Sequence, residues 1–152
     1  MDLYRILTVS SAGMHAQRER MSVVSGNLVN SETTRTPEGG PYRRRDVIFQ
    51  AAPVEEENFS TLMTIGFPQQ RPSGILTVEV AGVRESSKAP RKVYDPEHPD
   101  ADTQGYVSYP DINVMEEMAD LMSAVRSYEA NLAVFNATKG LVRRLLDLGR
   151  QP

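Results

Sequence analysis

Cysteine is absent from the 152-residue chain. That excludes disulfides, thiol catalysis and thiolate metal sites, and it fits a protein indifferent to redox compartment. No stretch approaches the roughly 18 consecutive apolar residues of a membrane span, so none is expected. The opening residues, MDLYRILTVSSAGMHAQRER, lack a basic start, an apolar run and a small-residue cleavage site. No cleavable secretory signal is therefore expected, and export would need a route that leaves this end intact. Excess charge of one sign is also missing. The net charge of -3 gives no drive toward nucleic acid or an anionic membrane. Hydrophobic residues make up 39%, below the usual share, so a large single core is not assured. There is no phosphate-cradling glycine loop, nucleophile elbow or pair of catalytic histidines. An enzyme is not expected, nor a cofactor.

Proline is missing from both ends, and this absence organises the chain. Nine of the ten prolines lie between Pro37 and Pro110, and the tenth is Pro152. Proline removes a backbone donor and clashes inside helices, so the ends are free to be helical and the middle is broken into short pieces. The expected division is 1–36 for an N-terminal helix and its exit, 37–110 for a β-rich middle, and 111–152 for a long C-terminal helix. The fold class is α+β, with paired terminal helices.

In the first helix Leu3, Leu7, Met14, Met21, Val24 and Leu28 fall on a 4-3-4-3 spacing interrupted by Ser10 and Gln17. Gly13 and Gly26 each weaken a helix by roughly 1 kcal/mol against alanine. The helix is expected to end between Asn27 and Asn30. At the other end Val114, Met118, Leu121, Val125, Tyr128, Leu132, Phe135, Val142 and Leu146 keep the same spacing, broken at Lys139. Such a sustained stripe is a coiled-coil pattern. Asn113 followed by Glu116 reads as a variant capping box, and Gly149 as a stop. A helix from Val114 to Leu148 spans about 52 Å at 1.5 Å per residue, too long to bury its stripe in a compact globule of this size. It must pair with the first helix, with other chains, or with both. The stripe residues of both helices are the candidate assembly positions. Without neighbours to bury them, the helices are expected to be poorly ordered, because ordering costs about 1–2 kcal/mol per residue.

The middle reads as β structure. Asp46–Gln50 is a short apolar run, and Ile75–Val83 alternates with Leu76, Val78 and Val80 on one face. KVYD and GYVSY are further strands, separated by the turn signals PEGGP, RPSG and DPEHPD. Residues 55–62 read equally as loop or strand.

Three polar constellations invite chemistry. In HPDADTQGYVSYPD, Asp100, Asp102 and Gln104 stand at alternate positions, Gly105 is sixth and Asp111 twelfth, which approaches a calcium loop. Gln104 and Asp111 depart from that pattern, and no helix precedes the loop, so a turn is favoured. His98 lies among Asp95, Glu97, Asp100 and Asp102, but no second histidine is near in sequence, and a solvated loop is the simpler reading. His15 is expected at an exposed or interface position. Arg43, Arg44 and Arg45 suit phosphate. In a chain of this charge they are expected at a solvated edge, or paired with acids such as Glu55–Glu57 or with a neighbouring subunit.

The run GNLVNSETT, with Asn27, Leu28, Asn30, Thr33 and Thr34, resembles the signature that closes the N-terminal helix of bacterial flagellar axial proteins. Val29 stands where alanine is usual. The stretches RTPEGGPYRRRDVIFQ, VYDPEHPDADTQGYVSYPDINVMEEM and SYEANLAVFNATKGL are similar to one branch of that family, the proximal rod subunits of the basal body. The resemblance covers essentially the whole chain. It implies a structural subunit whose terminal helices form the inner tube and the wall of an export channel, with the middle facing outward. Implied partners are further copies, other rod subunits and the flagellar type III export apparatus, with no nucleic acid and no membrane insertion. Heterologous contacts with an open rotation would build the tube, and the rod would transmit torque. The alternatives are a calcium-binding coiled-coil adaptor or another secretion or tail-tube structural subunit.

Overall fold

A computed structural model describes residues 3–54 and 74–149. Helix α1 spans Leu3–Val29 and helix α2 spans Val114–Leu148. Between them lie β1 (Arg45–Pro53), β2 (Leu76–Glu85), β3 (Arg91–Tyr94) and β4 (Tyr106–Tyr109), paired as two antiparallel ribbons, β1–β2 and β3–β4. This is the α+β arrangement expected. The residues 55–62, and with them Glu55–Glu57, lie outside those described.

The helix ends follow local chemistry. Asn113 Oδ1 accepts the Met115 N–H at 3.1 Å, and its side-chain amide donates to Glu116 Oε1 at 3.0 Å. The cap forms, but Glu116 braces the asparagine side chain and not its backbone N–H, unlike a true capping box. At the end of α1 the Asn30 N–H and side-chain amide both donate to the Gly26 carbonyl, at 3.1 and 2.9 Å. Those donors satisfy a carbonyl that the helix itself leaves open. Gly149 ends α2 in a right-handed conformation with φ -74°, its N–H on the Leu145 carbonyl at 3.2 Å.

The β1–β2 register runs from Arg45 opposite Glu85 to Pro53 opposite Leu76, with an irregularity between Ile48 and Phe49. Ile48 pairs with Gly82 and Phe49 with Val80, so Ala81 is the extra residue of a β-bulge. Gly82 has φ +157° and supplies the backbone freedom there. Val78 and Val80 are half-buried, whereas Leu76 is exposed. This ribbon lies against α1.

The helices pack against each other antiparallel: Asn27 meets Glu117, Arg20 meets Asp120, and Gly13 meets Asn131. Each therefore has a partner within the chain, as expected of paired terminal helices. Gly13 is no mere defect. A Cβ there would stand 2.9 Å from Asn131 Nδ2, so the glycine permits the close approach.

Buried apolar side chains among the described residues are small: Ala16, Val24, Val54, Val107 and Ala124. Burying a valine is worth about 1.5–3 kcal/mol, so this core alone is modest.

Candidate assembly surface

The seam between the helices runs through residues that the apolar spacing did not select. On α2 the buried row is Glu117, Ala124 and Thr138, continued by half-buried Asn131. Beside it the stripe residues Leu121, Tyr128, Phe135 and Val142 are half-buried. The second row of the same stripe faces away. Met118 is 49% exposed, Leu132 38% and Leu146 65%, and Val114 and Val125 are exposed with them. On α1 only Val24 of the stripe is fully buried; Leu3, Leu7, Met14, Met21 and Leu28 are half-buried, while Ser10, Gly13, Ala16 and Asn27 occupy the seam. Small side chains let the helix axes approach, and that choice turns half of the apolar stripe outward.

Further exposed apolar residues flank the seam. Met115 and Met122 join Met118 and Val125 on the first half of α2. Leu141, Leu145 and Leu148 stand exposed near its end. With Gly13 opposite Asn131, Leu3 falls near Leu141, and α2 runs on for seven residues to Leu148. That overhang carries Leu145, Leu146 and Leu148.

At the opposite end of the pair the chain buries polar groups. Asn27 is 0% exposed and Glu117 1%. The Asn27 side-chain amide donates to Glu117 Oε2 and to the Arg45 carbonyl, both at 2.9 Å. Its Oδ1 accepts from the Arg45 N–H at 2.9 Å and from the Tyr42 hydroxyl at 3.2 Å. Arg44 Nε donates to Glu117 Oε1 at 2.6 Å, and the same guanidinium binds Asp46. Burial alone would lower the Arg44 pKa, but the hydrogen bond and charge of Glu117, with Asp46, hold it above its ordinary value. Burial pushes the Tyr42 hydroxyl up, which keeps it a donor. Of the arginine triplet, then, Arg44 is not at a solvated edge. It closes a knot joining α1, β1 and α2. Arg45 pairs with Glu85 at 2.9 Å across the ribbon, and Arg43 is exposed.

The rest of the GNLVNSETT run ties the α1 exit down. Thr33 donates to Asn30 Oδ1 at 3.2 Å, and Thr34 donates to Asp100 Oδ2 at 2.8 Å, where Arg35 also approaches at 3.8 Å. This accounts for one carboxylate of the acidic loop. Asp102 Oδ1 accepts the N–H groups of Gln104 at 2.8 Å and Tyr106 at 2.9 Å. Those bonds, that of Tyr106 foremost, hold its carboxyl below the ordinary range. Gly105 turns with φ +80° against the Tyr94 ring. His98 Nδ1 accepts the Asp100 N–H at 3.1 Å, and its ring lies edge-on to Tyr109. These are turn contacts. Among the described residues no group of three or more His, Asp or Glu is gathered to hold a metal. His15 is exposed beside Arg18.

What sequence reasoning missed is therefore Glu117, Ala124, Asn131 and Thr138, together with the knot roles of Asn27 and Arg44. The row Glu117, Ala124, Asn131 and Thr138 repeats every seven residues just beside the apolar stripe, and that offset was the available signal.

Paired terminal helices around a small β middle, with chemistry spent on holding elements together, describe a structural component. The family described as "Flagellar basal body rod FlgEFG protein C-terminal" matches residues 103–148. The flagellar basal-body rod protein FlgC of Borreliella burgdorferi is 43% identical, over 97% of this chain and 98% of its own. The protein of that name from Bacillus subtilis is 40% identical over 99% and 100%. That from Salmonella typhimurium is 36% identical over the same shares. The chain belongs to the flagellar basal-body rod protein FlgC family, a structural family and not an enzymatic one. Its place is the rod of the basal body, and no helix among the described residues is long and apolar enough to cross a membrane.

Proposed function

We propose that this rod subunit polymerises through the outward row of α2, Met118, Val125, Leu132 and Leu146, against further copies and other rod subunits. One observation carries the reading: the intrachain seam consumes only one of the two apolar rows, and the second stays exposed along a helix of 35 residues. An apolar face of this extent is a liability unless neighbours cover it. Burial of that row would supply the contact energy, while the half-buried row and α1 hold the subunit in shape. Met115 and Met122 extend the same face, and methionine adapts to irregular partners. In this reading 1–36 and 111–152 form the tube and the channel wall, and 37–110 faces outward. Passage through the flagellar type III export apparatus would deliver the chain, and the assembled rod would carry torque.

Leu132→Asp tests it. In the single chain Leu132 is 38% exposed and the carboxylate reaches water, so helix content should persist with a stability loss of about 1–2 kcal/mol. In the rod it would be buried without a partner, and incorporation and motility should be lost. Normal basal bodies containing the variant would refute the reading.

A further inference from the structure

The Asn27–Glu117–Arg44 knot has the features of a register pin, and the seam explains why one is needed. Along α2 the positions that meet α1 repeat every seven residues, as Ala124, Asn131 and Thr138 beside Leu121, Tyr128, Phe135 and Val142. Moving α1 by one heptad would bring Gly13 from Asn131 to Thr138, again a small polar side chain, and would again set apolar against apolar. The track for that movement exists, since α2 continues seven residues beyond Leu3. It exists in one direction only, because Asn27 already meets the first turn of α2. The seam itself therefore discriminates poorly between two registers.

The knot discriminates sharply. Its parts come from both sides of the slip plane: Asn27, Arg44 and the Arg45 backbone travel with α1 and the β1–β2 ribbon, and Glu117 belongs to α2. A one-heptad slide would place Asn27 against Ala124 and strand the carboxylate of Glu117. Arg20–Asp120 also crosses the plane, but both partners are part-exposed, so it contributes little. We infer that Asn27, with Glu117 and Arg44, is a positioning device that selects one of two heptad registers of α1 on α2, and that it specifies more than it stabilises. Buried polar groups fix register in this way in helix pairs, and replacing a buried ion pair by apolar groups is often neutral or stabilising.

The absence of cysteine makes the test clean. Full-length chains carrying Gly13→Cys with Asn131→Cys report the observed register. Gly13→Cys with Thr138→Cys and Asn131→Ala reports the shifted one, the alanine removing the obstruction that a Cβ at position 13 would meet. About 10 Å of helix separates positions 131 and 138, and a disulfide cannot span it. In an otherwise unchanged background, disulfide yield at equilibrium with glutathione should favour the first pair by more than about a hundredfold, the scale of a broken buried ion pair. With Asn27→Leu, Arg44→Met and Glu117→Leu added, helix content should persist while the two pairs come within about tenfold of each other. A structural role alone would instead lower helix content and leave no register bias to move. Equal yields without the added substitutions, or an unchanged bias with them, would overturn the inference. Should the triple variant not fold, Asn27→Ala, which leaves Arg44–Glu117 in place, must still raise the shifted product at least about tenfold, and an unchanged ratio refutes the pin. Register within one chain does not depend on the assembly reading, so Leu132→Asp and these cross-links fail independently.

Discussion

The two ends of the helix pair solve opposite problems. Where α1 leaves and α2 begins, the chain buries a carboxylate, an amide and part of a guanidinium, all mutually satisfied. At the far end it leaves Leu141, Leu145, Leu146 and Leu148 exposed. A domain that maximised its own stability would do the reverse. The first end is finished by its own chain, and the second stays open among the described residues. Polar contacts carry geometric information, since only certain partners satisfy them, whereas leucines accept many surfaces.

Removing the exposed end should break the difference most completely. Leu145→Asp with Leu146→Asp, like Leu132→Asp, should abolish rod incorporation in cells while the purified chain keeps its circular dichroism spectrum. Next in size is Glu117→Ala, which leaves Asn27's amide with only the Arg45 carbonyl and Arg44 with only Asp46. Because Arg44 is part-exposed, a loss of about 2–4 kcal/mol by urea unfolding is expected, toward the lower half of the range for a broken buried pair. Gly13→Leu should overpack the close approach to Asn131 and cost about 1–3 kcal/mol. Gly13→Ala with Asn131→Ala removes that obstruction and gains helix propensity, and it should raise stability by up to about 1 kcal/mol.

The smallest effect concerns the acidic loop. The lowered carboxyl of Asp102 means that its contribution is fully present above the ordinary value of 3.8 and is lost as pH falls through the lowered value. The amide resonances of Gln104 and Tyr106 should thus hold steady from neutrality to about pH 4 and move only below it. Movement at pH 5–6 would contradict the turn geometry.

The helices, their ends and the strands were legible in the sequence because their causes are local. Asn113 and Glu116 sit three residues apart, and Val78 and Val80 alternate within one strand. Which apolar row turns inward was not legible. Leu121, Tyr128, Phe135 and Val142 are no more apolar than Met118, Val125, Leu132 and Leu146, and spacing ranks them equally. The decision comes from Gly13 meeting Asn131 and from Asn27 meeting Glu117, 90 residues away. The seven-residue repeat that holds Glu117 and Asn131 marks a row on α2, but it does not say which residue of α1 each one meets. The acid-rich loop reads as a turn, from Gln104, Asp111 and the missing helix before it, although the residues that shape a turn are also those that bind cations. The N–H groups aimed at Asp102 give that turn its geometry.

The seven-residue overhang of α2 has one more consequence. Isolated helices shorter than about 12–15 residues are marginal in water, so this last stretch is helical only as a continuation of the paired part. Its amides should exchange with solvent faster than those near Ala124, in a gradient that rises toward Leu148. Anything that docks on those leucines would flatten the gradient, so the tip of the helix would register the arrival of a neighbour as a change in hydrogen exchange.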